Sequence, residues 1–355
     1  MRQINLSNIK KILISRTDRI GDVVLSTPVF WAIKKKYPNA YISVMVVKET
    51  APIVQGNPWI DEVIILDKKG RHKSWLQTFF FGLSLRNRKF DVAIHLHPKN
   101  RVNVISWAAN VPVRIGYKVS LGNHGKNDFL LTHKIPEQKW QGKKHEVEYN
   151  FDLLKFINVS QPERLPLYFP LAEQGLNDLM QLMPQGLNDR YVVFHPSASC
   201  ISKRWPPERL AQVADRLSSR FGVLPVIIGE GEGIAHANEM QNNMKEKSLN
   251  LSGRLSLGML GWLLKGARLL VSNDSGPVHV AAAVETPVIS IFGRNQPGLS
   301  PIRWRPISER GTYIHKDVGC TVCLAHKCEI NFKCLTELLV DDVLNVVKQY
   351  ESLLV

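Results

Sequence analysis

Short apolar runs alternate with helix-length amphipathic segments along the first half of the chain. Strands are predicted at residues 11–15, 41–47, 62–66, 90–96 and 111–117. Runs of this length that are apolar throughout are typical of strands covered on both faces, as in parallel βαβ units. A helical segment follows the first strand to about Lys36. Because Pro28 has no N–H to donate, it either kinks this helix or marks its start.

The same alternation restarts at residue 191. Strands are predicted at 191–194, 223–228, 268–272 and 287–292, and helices at 206–221, 233–247, 257–266 and 276–284. The Pro-rich stretch 158–190, with one short helix, is predicted to connect two domains. The pattern predicts an α/β protein with two doubly wound domains, residues 1–170 and 171–335, and a ligand cleft between them. Residues 336–355 are predicted to form an amphipathic helix that packs back on the first domain.

Composition narrows the class of protein. A chain of 355 residues, 44% hydrophobic and 22% charged, is long enough for two globular domains and excludes a disordered chain. No apolar run approaches the ~20 residues that span a bilayer, and the first residues lack the apolar core of a signal peptide. We therefore expect a cytoplasmic protein.

The net charge of +15 is unevenly distributed. Residues 1–170 carry 27 Lys and Arg against 13 Asp and Glu, whereas residues 171–355 carry 19 against 18. The first half therefore holds nearly all of the excess, which indicates an anionic partner such as nucleic acid, a membrane surface or a phosphorylated substrate. A basic surface that serves only solubility is the alternative.

Polar loops follow three of the predicted strands, where doubly wound folds bind ligands. The first, residues 16–22, contains Arg16, Asp18, Arg19, Gly21 and Asp22. The second, residues 195–206, combines small hydroxyl residues with two cations and would suit a phosphate group; the third, residues 272–279, precedes a helix of small residues. Helix capping and turn formation are the alternative explanation for each loop.

A fourth loop, Gly229–Gly233, follows a strand but does not match a dinucleotide-binding motif. The third glycine of G-x-G-x-x-G would be Ile234, and Glu230 and Glu232 would repel a pyrophosphate. An NAD-dependent enzyme is therefore disfavoured, and one of these carboxylates is better suited to ribose hydroxyls. No nucleic-acid-binding module is recognisable, so no nucleic-acid partner is predicted.

Two further segments leave alternatives open. Cys320, Cys323, Cys328 and Cys334 lie near His315 and His326, but their spacing is not that of a standard zinc site, so free thiols or redox-labile pairs are favoured over metal binding. The apolar stretch 76–85 has basic flanks and could lie in a membrane interface or pack in the core.

The three loops, taken together and in this order, resemble those of glycosyltransferase family 9, the ADP-heptose–lipopolysaccharide heptosyltransferases. The resemblance lies in residues 16–22 with Thr27-Pro28, in residues 203–206 and in residues 272–283. The resemblance implies the GT-B fold, with the acceptor on the N-terminal domain and an ADP-sugar donor on the C-terminal one. It implies inverting transfer of heptose to the lipopolysaccharide inner core; a different nucleotide-sugar or acceptor is the alternative.

The resemblance also assigns roles to individual residues. Asp22 matches the general base and Lys203 the lysine on the donor phosphates, and Arg16, Asp18, Arg19 and Gly21 become acceptor-side candidates. The remaining donor-binding candidates are Ser199, Glu232, Asp274, Ser275, Gly276 and His279. No cofactor or metal is expected, since the sequence has no Asp-x-Asp motif and Lys203 and helix N-termini can stabilise the leaving diphosphate. The lipid-anchored, anionic acceptor implies peripheral contact of the basic half with the inner face of the cytoplasmic membrane.

Overall fold

The computed structural model describes residues 4, 9–118, 127–183, 190–320, 322–323 and 325–355. The chain forms two compact units. The first comprises the described residues of Met1–Trp140 and Glu146–Pro170, and the second those of Gln141–His145 and Leu171–Val355. Residues 184–189 of the predicted connecting stretch lie outside the described part of the chain.

The first unit contains a six-stranded sheet in which every strand is parallel to its neighbours. The strands are β1 (Lys11–Ser15), β2 (Tyr41–Val46), β3 (Glu62–Ile65), β4 (Val92–His95), β5 (Val113–Lys118) and β6 (His133–Pro136). Their spatial order is β3-β2-β1-β4-β5-β6. The helices are α1 (Ile20–Val24), α2 (Thr27–Lys36), α3 (Ala51–Val54), α4 (Trp75–Ser84), α5 (Asn100–Ala108) and α6 (Glu146–Leu154).

The second unit repeats this plan. Its strands are β7 (Tyr191–His195), β8 (Leu224–Ile227), β9 (Leu249–Asn250), β10 (Leu269–Asn273), β11 (Val288–Phe292) and β12 (Gly311–His315), in the order β12-β11-β10-β7-β8-β9. Its longer helices are α7 (Glu173–Leu182), α8 (Pro207–Phe221), α9 (Gly233–Asn242), α10 (Leu257–Gly266) and α11 (Gly276–Ala283). Four more helices follow β11 in the chain: α12 (Pro301–Trp304), α13 (Lys333–Thr336), α14 (Val340–Val347) and α15 (Glu351–Leu354).

Both sheets have the doubly wound strand order, which confirms the predicted α/β class. The central strands are buried almost throughout, as their uninterrupted apolar sequences predict: Ile12, Leu13 and Ile14 of β1 are at most 1% exposed. The helix after β1 is interrupted. The short α1 ends at Val24, and α2 begins at Thr27 with Pro28 in its first turn, where the missing N–H costs nothing.

The strand order places the functional candidates. In each sheet the direction of winding reverses at one point, between β1 and β4 in the first unit and between β7 and β10 in the second. At that point the connections that follow the two neighbouring strands run to opposite faces of the sheet. Their separation opens a crevice at the carboxyl ends of the two strands. The loops after β1 and β4, and those after β7 and β10, therefore lie at the ligand-binding edges of their sheets.

The C-terminal segment corrects one prediction. Val340, Val343 and Val347 of α14 are buried in the core of the second unit, together with Trp205 and residues of α8. The indole Nε1 of Trp205 also donates to the carbonyl of Leu338, 3.0 Å away. The prediction that this segment packs on the N-terminal half is wrong, because its apolar stripe covers the α8 face of its own unit.

Candidate active site

The loop after β1 is organised around one buried arginine. Arg16 is 1% exposed, and its guanidinium fills the space between the carboxyl ends of β1 and β4. Its Nε donates to Asp18 Oδ1 at 2.8 Å, and its Nη2 pairs with Asp22. Its Nη1 contacts the carbonyl of Leu96 at 3.3 Å and Glu146 Oε1 at 3.0 Å. One side chain thus joins the first loop, the loop after β4 and helix α6.

The network around Arg16 has a second cation. Lys139 Nζ lies 2.6 Å from Glu146 Oε1 and donates to the carbonyl of Leu96 at 3.2 Å. Glu146 is completely buried, so a carboxylate there requires both positive neighbours.

The two aspartates beside Arg16 differ in their pKa values. Burial and the adjacent Asp18 raise the pKa of Asp22 to about 6, against the opposing effect of Arg16. Burial also opposes ionisation of Asp18, but Arg16 and His97 hold the pKa of Asp18 well below its usual range. The two carboxylates that pair with Arg16 therefore differ. Asp18 is a stable anion, whereas Asp22 exchanges a proton near neutral pH, as a general base requires.

The structure brings the acceptor-side candidates Arg16 and Asp18 together with Asp22, the candidate base. Gly21 is buried in the first turn of α1, next to Asp22, whereas Arg19 is exposed at the start of that helix. Arg19 thus lies on the same loop but outside the buried network.

In the second unit, the loops after β7 and β10 meet through Lys203 and Asp274. Lys203 Nζ lies 2.7 Å from Asp274 Oδ2 and donates to the backbone carbonyl of Asp274 at 3.0 Å. Arg294, which follows β11, lies 3.4 Å from the same carboxylate oxygen. Asp274 and Arg294 are each about 5% exposed, at 5% and 6%. One carboxylate thus holds two cations at the edge of the sheet, and α11 begins two residues later.

Buried side chains fix the backbone of these loops. The side chain of Asn273, at the end of β10, accepts a hydrogen bond from the backbone N–H of Trp205 at 3.0 Å. It also donates to the carbonyl of Pro196 at 2.8 Å. Trp205 is completely buried, two residues after Lys203. These contacts leave the Lys203 loop little freedom to move away from Asp274.

The candidate Ser275 is held by a histidine at the end of β7. Ser275 Oγ lies 2.9 Å from His195 Nδ1 and 3.0 Å from Ser272 Oγ. Burial lowers the pKa of His195 to about 4, so the ring is neutral at neutral pH. Ser275 Oγ also donates to the carbonyl of Asn273 at 3.0 Å. His195 therefore orients the hydroxyl group in front of α11.

The other donor-side candidates are dispersed along the same edge. Gly276 begins α11, and His279 is buried on that helix. Ser199 is exposed in the loop after β7, and Glu232 is exposed at the start of α9. The loop that carries Glu232 approaches the Ser199 loop closely: a Cβ on Gly233 would lie 2.7 Å from the hydroxyl of Ser197. These residues come from neighbouring strands but make no compact cluster like that of Lys203.

The stretch 76–85 is packed on one side and exposed on the other. On one side of α4, Gly82 permits close packing, since a Cβ there would lie 2.6 Å from Ala108 Cβ of α5. On the other side Trp75, Leu76 and Phe80 are more than half exposed. We call these three residues, with the exposed basic residues Arg71 and Lys73 before them, the α4 face.

The described cysteines near the C-terminus are not paired in disulfides. All five cysteines of the chain have free thiols. Cys320, Cys323, Cys328 and Cys334 line a cavity of about 300 Å³ that also contacts Arg294. Burial and the neighbouring thiols raise the pKa of Cys334 to about 11, which makes its thiol a poor nucleophile. Within the described residues, no three His, Cys, Asp or Glu side chains are arranged to hold a metal ion.

The sequence patterns did not single out several residues of these clusters, among them His97, Arg294, Glu146 and Lys139. His97 and Arg294 each follow a strand by two residues, so their position was a usable signal once the strand order was known. Glu146 lies on a helix 130 residues from Arg16, and no local pattern connects the two.

The described helices also include none that is long and apolar enough to span a membrane.

The chain is similar to known proteins in sequence and in fold. The model of glycosyltransferase family 9 (heptosyltransferase) matches residues 79–333. Lipopolysaccharide heptosyltransferase 3 of Escherichia coli is 31% identical over 296 residues, which cover 81% of this chain and 84% of the relative.

Two solved structures share the fold. The family 9 glycosyl transferase of Veillonella parvula superposes with a TM-score of 0.83 at 24% identity, covering 98% of this chain and 97% of that one. E. coli ADP-heptose lps heptosyltransferase II superposes with a TM-score of 0.77 at 22% identity, covering 96% and 98%. The predicted GT-B fold is thereby confirmed.

Proposed function

Because the chain belongs to glycosyltransferase family 9, we propose that it transfers heptose from ADP-heptose to the inner core of lipopolysaccharide with inversion at the anomeric carbon. The observation that carries the proposal is the pair of charged clusters, one in each unit, at the point where the direction of winding of the sheet reverses. One contains a carboxylate suited to be a base, and the other contains cations suited to a diphosphate.

Asp22 is the proposed general base. Its raised pKa, about 6, leaves it mostly ionised at pH 7 but basic enough to take a proton from an acceptor hydroxyl as that oxygen attacks. Arg16 holds the carboxylate in place. The deprotonated oxygen attacks the anomeric carbon on the face opposite the leaving ADP, through a transition state with oxocarbenium character.

The second unit is proposed to bind the donor. Lys203 and the N-terminus of α11 offer positive charge and N–H groups to the diphosphate, whose negative charge grows as the sugar leaves. Ser275 and Gly276 stand at that N-terminus, with Ser199 close to the phosphates and His279 further along the helix. Asp274 orients Lys203, and Glu232 is proposed for the ribose hydroxyls. This charge makes a divalent metal unnecessary for the transfer.

Membrane contact is the proposed way of reaching the acceptor. The α4 face combines exposed apolar rings with cations, the composition of surfaces that enter the headgroup region of anionic membranes. We place it on the inner face of the cytoplasmic membrane, where it would hold the first unit beside a lipid-anchored saccharide.

Calorimetry with ADP, UDP and NAD tests the donor assignment. We expect ADP to bind, UDP to bind more weakly and NAD not to bind. Transfer from ADP-heptose to lipooligosaccharide from a strain lacking this gene, measured by mass spectrometry in EDTA, tests the reaction. Preference for UDP would indicate another nucleotide-sugar, and activity that required added Mg²⁺ or Mn²⁺ would contradict the metal-independent mechanism.

A further inference from the structure

The loop after β4 places a histidine against the buried network of the first unit. β1 and β4 are parallel neighbours, with Ser15 paired to His95 at their carboxyl ends. Asp18 and His97 follow these two strands and meet at the switch point. His97 Nδ1 lies 2.7 Å from Asp18 Oδ2. The pair belongs to the candidate site by position, but the mechanism proposed above makes no use of His97.

Asp18 is held so that it can orient this ring. Its other oxygen accepts from Arg16 Nε at 2.8 Å, and Arg16 is itself fixed by Leu96, Glu146 and Asn150. A carboxylate engaged on both oxygens cannot rotate freely. The Nδ1–Oδ2 contact is short but is not aligned as a hydrogen bond in the structure. Because Arg16 keeps Asp18 ionised, Asp18 can only accept, so the contact favours the tautomer with its proton on Nδ1.

The opposite nitrogen is then a hydrogen-bond acceptor. The charged groups that face His97 are Asp18, Arg16 and Lys99; burial lowers the pKa of His97 in spite of Asp18, which keeps the ring neutral at neutral pH. The side chain is 28% exposed, and Nε2 makes no hydrogen bond to the described residues. A neutral imidazole with this tautomer offers a lone pair but no proton, so it suits a hydroxyl group and not a phosphate oxygen.

We propose that His97 Nε2 accepts a hydrogen bond from a hydroxyl group of the saccharide acceptor and so binds the acceptor beside Asp22. The inference rests on the proposed function, because it requires the acceptor to bind in the first unit. The Arg16 guanidinium joins the two carboxylates: Asp22 would receive the reacting proton, and Asp18 would orient the ring that holds a neighbouring hydroxyl.

Steady-state kinetics of three variants test this role, with ADP-heptose and de-O-acylated lipooligosaccharide from a strain lacking this gene. His97→Ala should raise the KM for the saccharide about 5- to 100-fold, since a substrate hydroxyl loses its partner, and should leave the KM for ADP-heptose unchanged. His97→Gln should recover part of this loss, because its amide oxygen can accept near the position of Nε2. Asp18→Asn should also raise the saccharide KM, because an amide no longer selects the Nδ1–H tautomer.

The control is Glu49→Gln, which removes a carboxylate from the same unit at an exposed ion pair with Lys69. It should leave both KM values unchanged. A saccharide KM unaffected by His97→Ala, or a loss confined to kcat in both His97 variants, would overturn the inference while the proposed function stands. A wild-type protein that transfers no sugar to this acceptor would contradict the proposed function and the inference with it.

Discussion

At the scale of single residues, Asp22 should control the chemical step. Asp22→Asn should lower kcat by ~10²–10⁴ while ADP affinity stays at the wild-type value, because the amide cannot take a proton. The raised pKa adds a pH signature: since the base is needed ionised, kcat/KM should fall as the pH drops through about 6. Initial rates between pH 5 and 8 measure both effects. Near-normal turnover of the variant, or a profile flat from pH 5 to 7, would rule out this assignment.

Lys203 should act on donor binding. Lys203→Ala should weaken ADP binding ~10- to 100-fold, the range expected when a charge-assisted hydrogen bond is lost. Asp274 would still have Arg294 at 3.4 Å, so the loop keeps one of its two ion pairs. Calorimetry with ADP measures the change, and Lys265→Ala is the control, because Lys265 is an exposed lysine of the same unit paired with Glu285. Equal ADP affinity in wild type and Lys203→Ala would show that the phosphates bind elsewhere.

At the scale of elements, α4 has two different surfaces. Its packed side is built on Gly82, against α5. Its exposed side is ordered by a cation–π contact, in which the guanidinium of Arg101 lies 5.1 Å from the centre of the Trp75 ring. A helix packed on one side and apolar on the other presents its exposed rings in a fixed direction.

The α4 face should bind anionic vesicles. We expect the protein to sediment with phosphatidylglycerol-containing liposomes, less with neutral ones, and less as salt is added. Reversing both Arg71 and Lys73 to Glu should weaken this binding at least ~10-fold, since each cation contributes ~1 kcal/mol at such a surface. Lys68 is left unchanged, because its Nζ donates to the carbonyl of Thr17 beside the Arg16 network.

Reversal of Lys35 and Lys36, exposed at the end of α2, is the matched control for charge. It should leave sedimentation closer to wild type than the Arg71 and Lys73 variant, and both variants should bind ADP normally. Equal binding to neutral and anionic vesicles would mean that the basic residues serve only the acceptor.

At the scale of the whole molecule, the charge of the two halves should appear in the salt dependence of catalysis. Residues 1–170 carry a balance of +14 and residues 171–355 a balance of +1. The screening length falls from ~10 Å at 0.1 M salt to ~3 Å at 1 M, so long-range attraction of an anionic acceptor weakens. The KM for lipooligosaccharide should rise several-fold between 0.1 and 0.5 M NaCl, and the KM for ADP-heptose should rise less. Equal salt dependence of the two KM values would contradict this division of charge.

The sequence by itself determined the architecture. Buried strands of parallel sheets are apolar on both faces, so β1, β2, β7 and β11 were predicted to within about one residue at each end. The strands it missed, β6, β9 and β12, lie at the edges of the sheets, where burial is partial and the apolar signal is weak. Polar loops after central strands were also visible, because a loop of charged and small residues interrupts the apolar pattern.

Only the tertiary structure decided which of these polar residues meet. No local sequence pattern indicates the order of the strands in a sheet. His97 lies beside Asp18 because β1 and β4 are neighbours in the first sheet. The same holds for Glu146, which reaches Arg16 from α6. The C-terminal segment was predicted to be an amphipathic helix. Its stripe of valines indicates that one face is buried, but it does not indicate which surface of the protein covers that face. Periodicity reports burial along the chain, whereas the partner of each buried group depends on contacts between residues far apart in sequence.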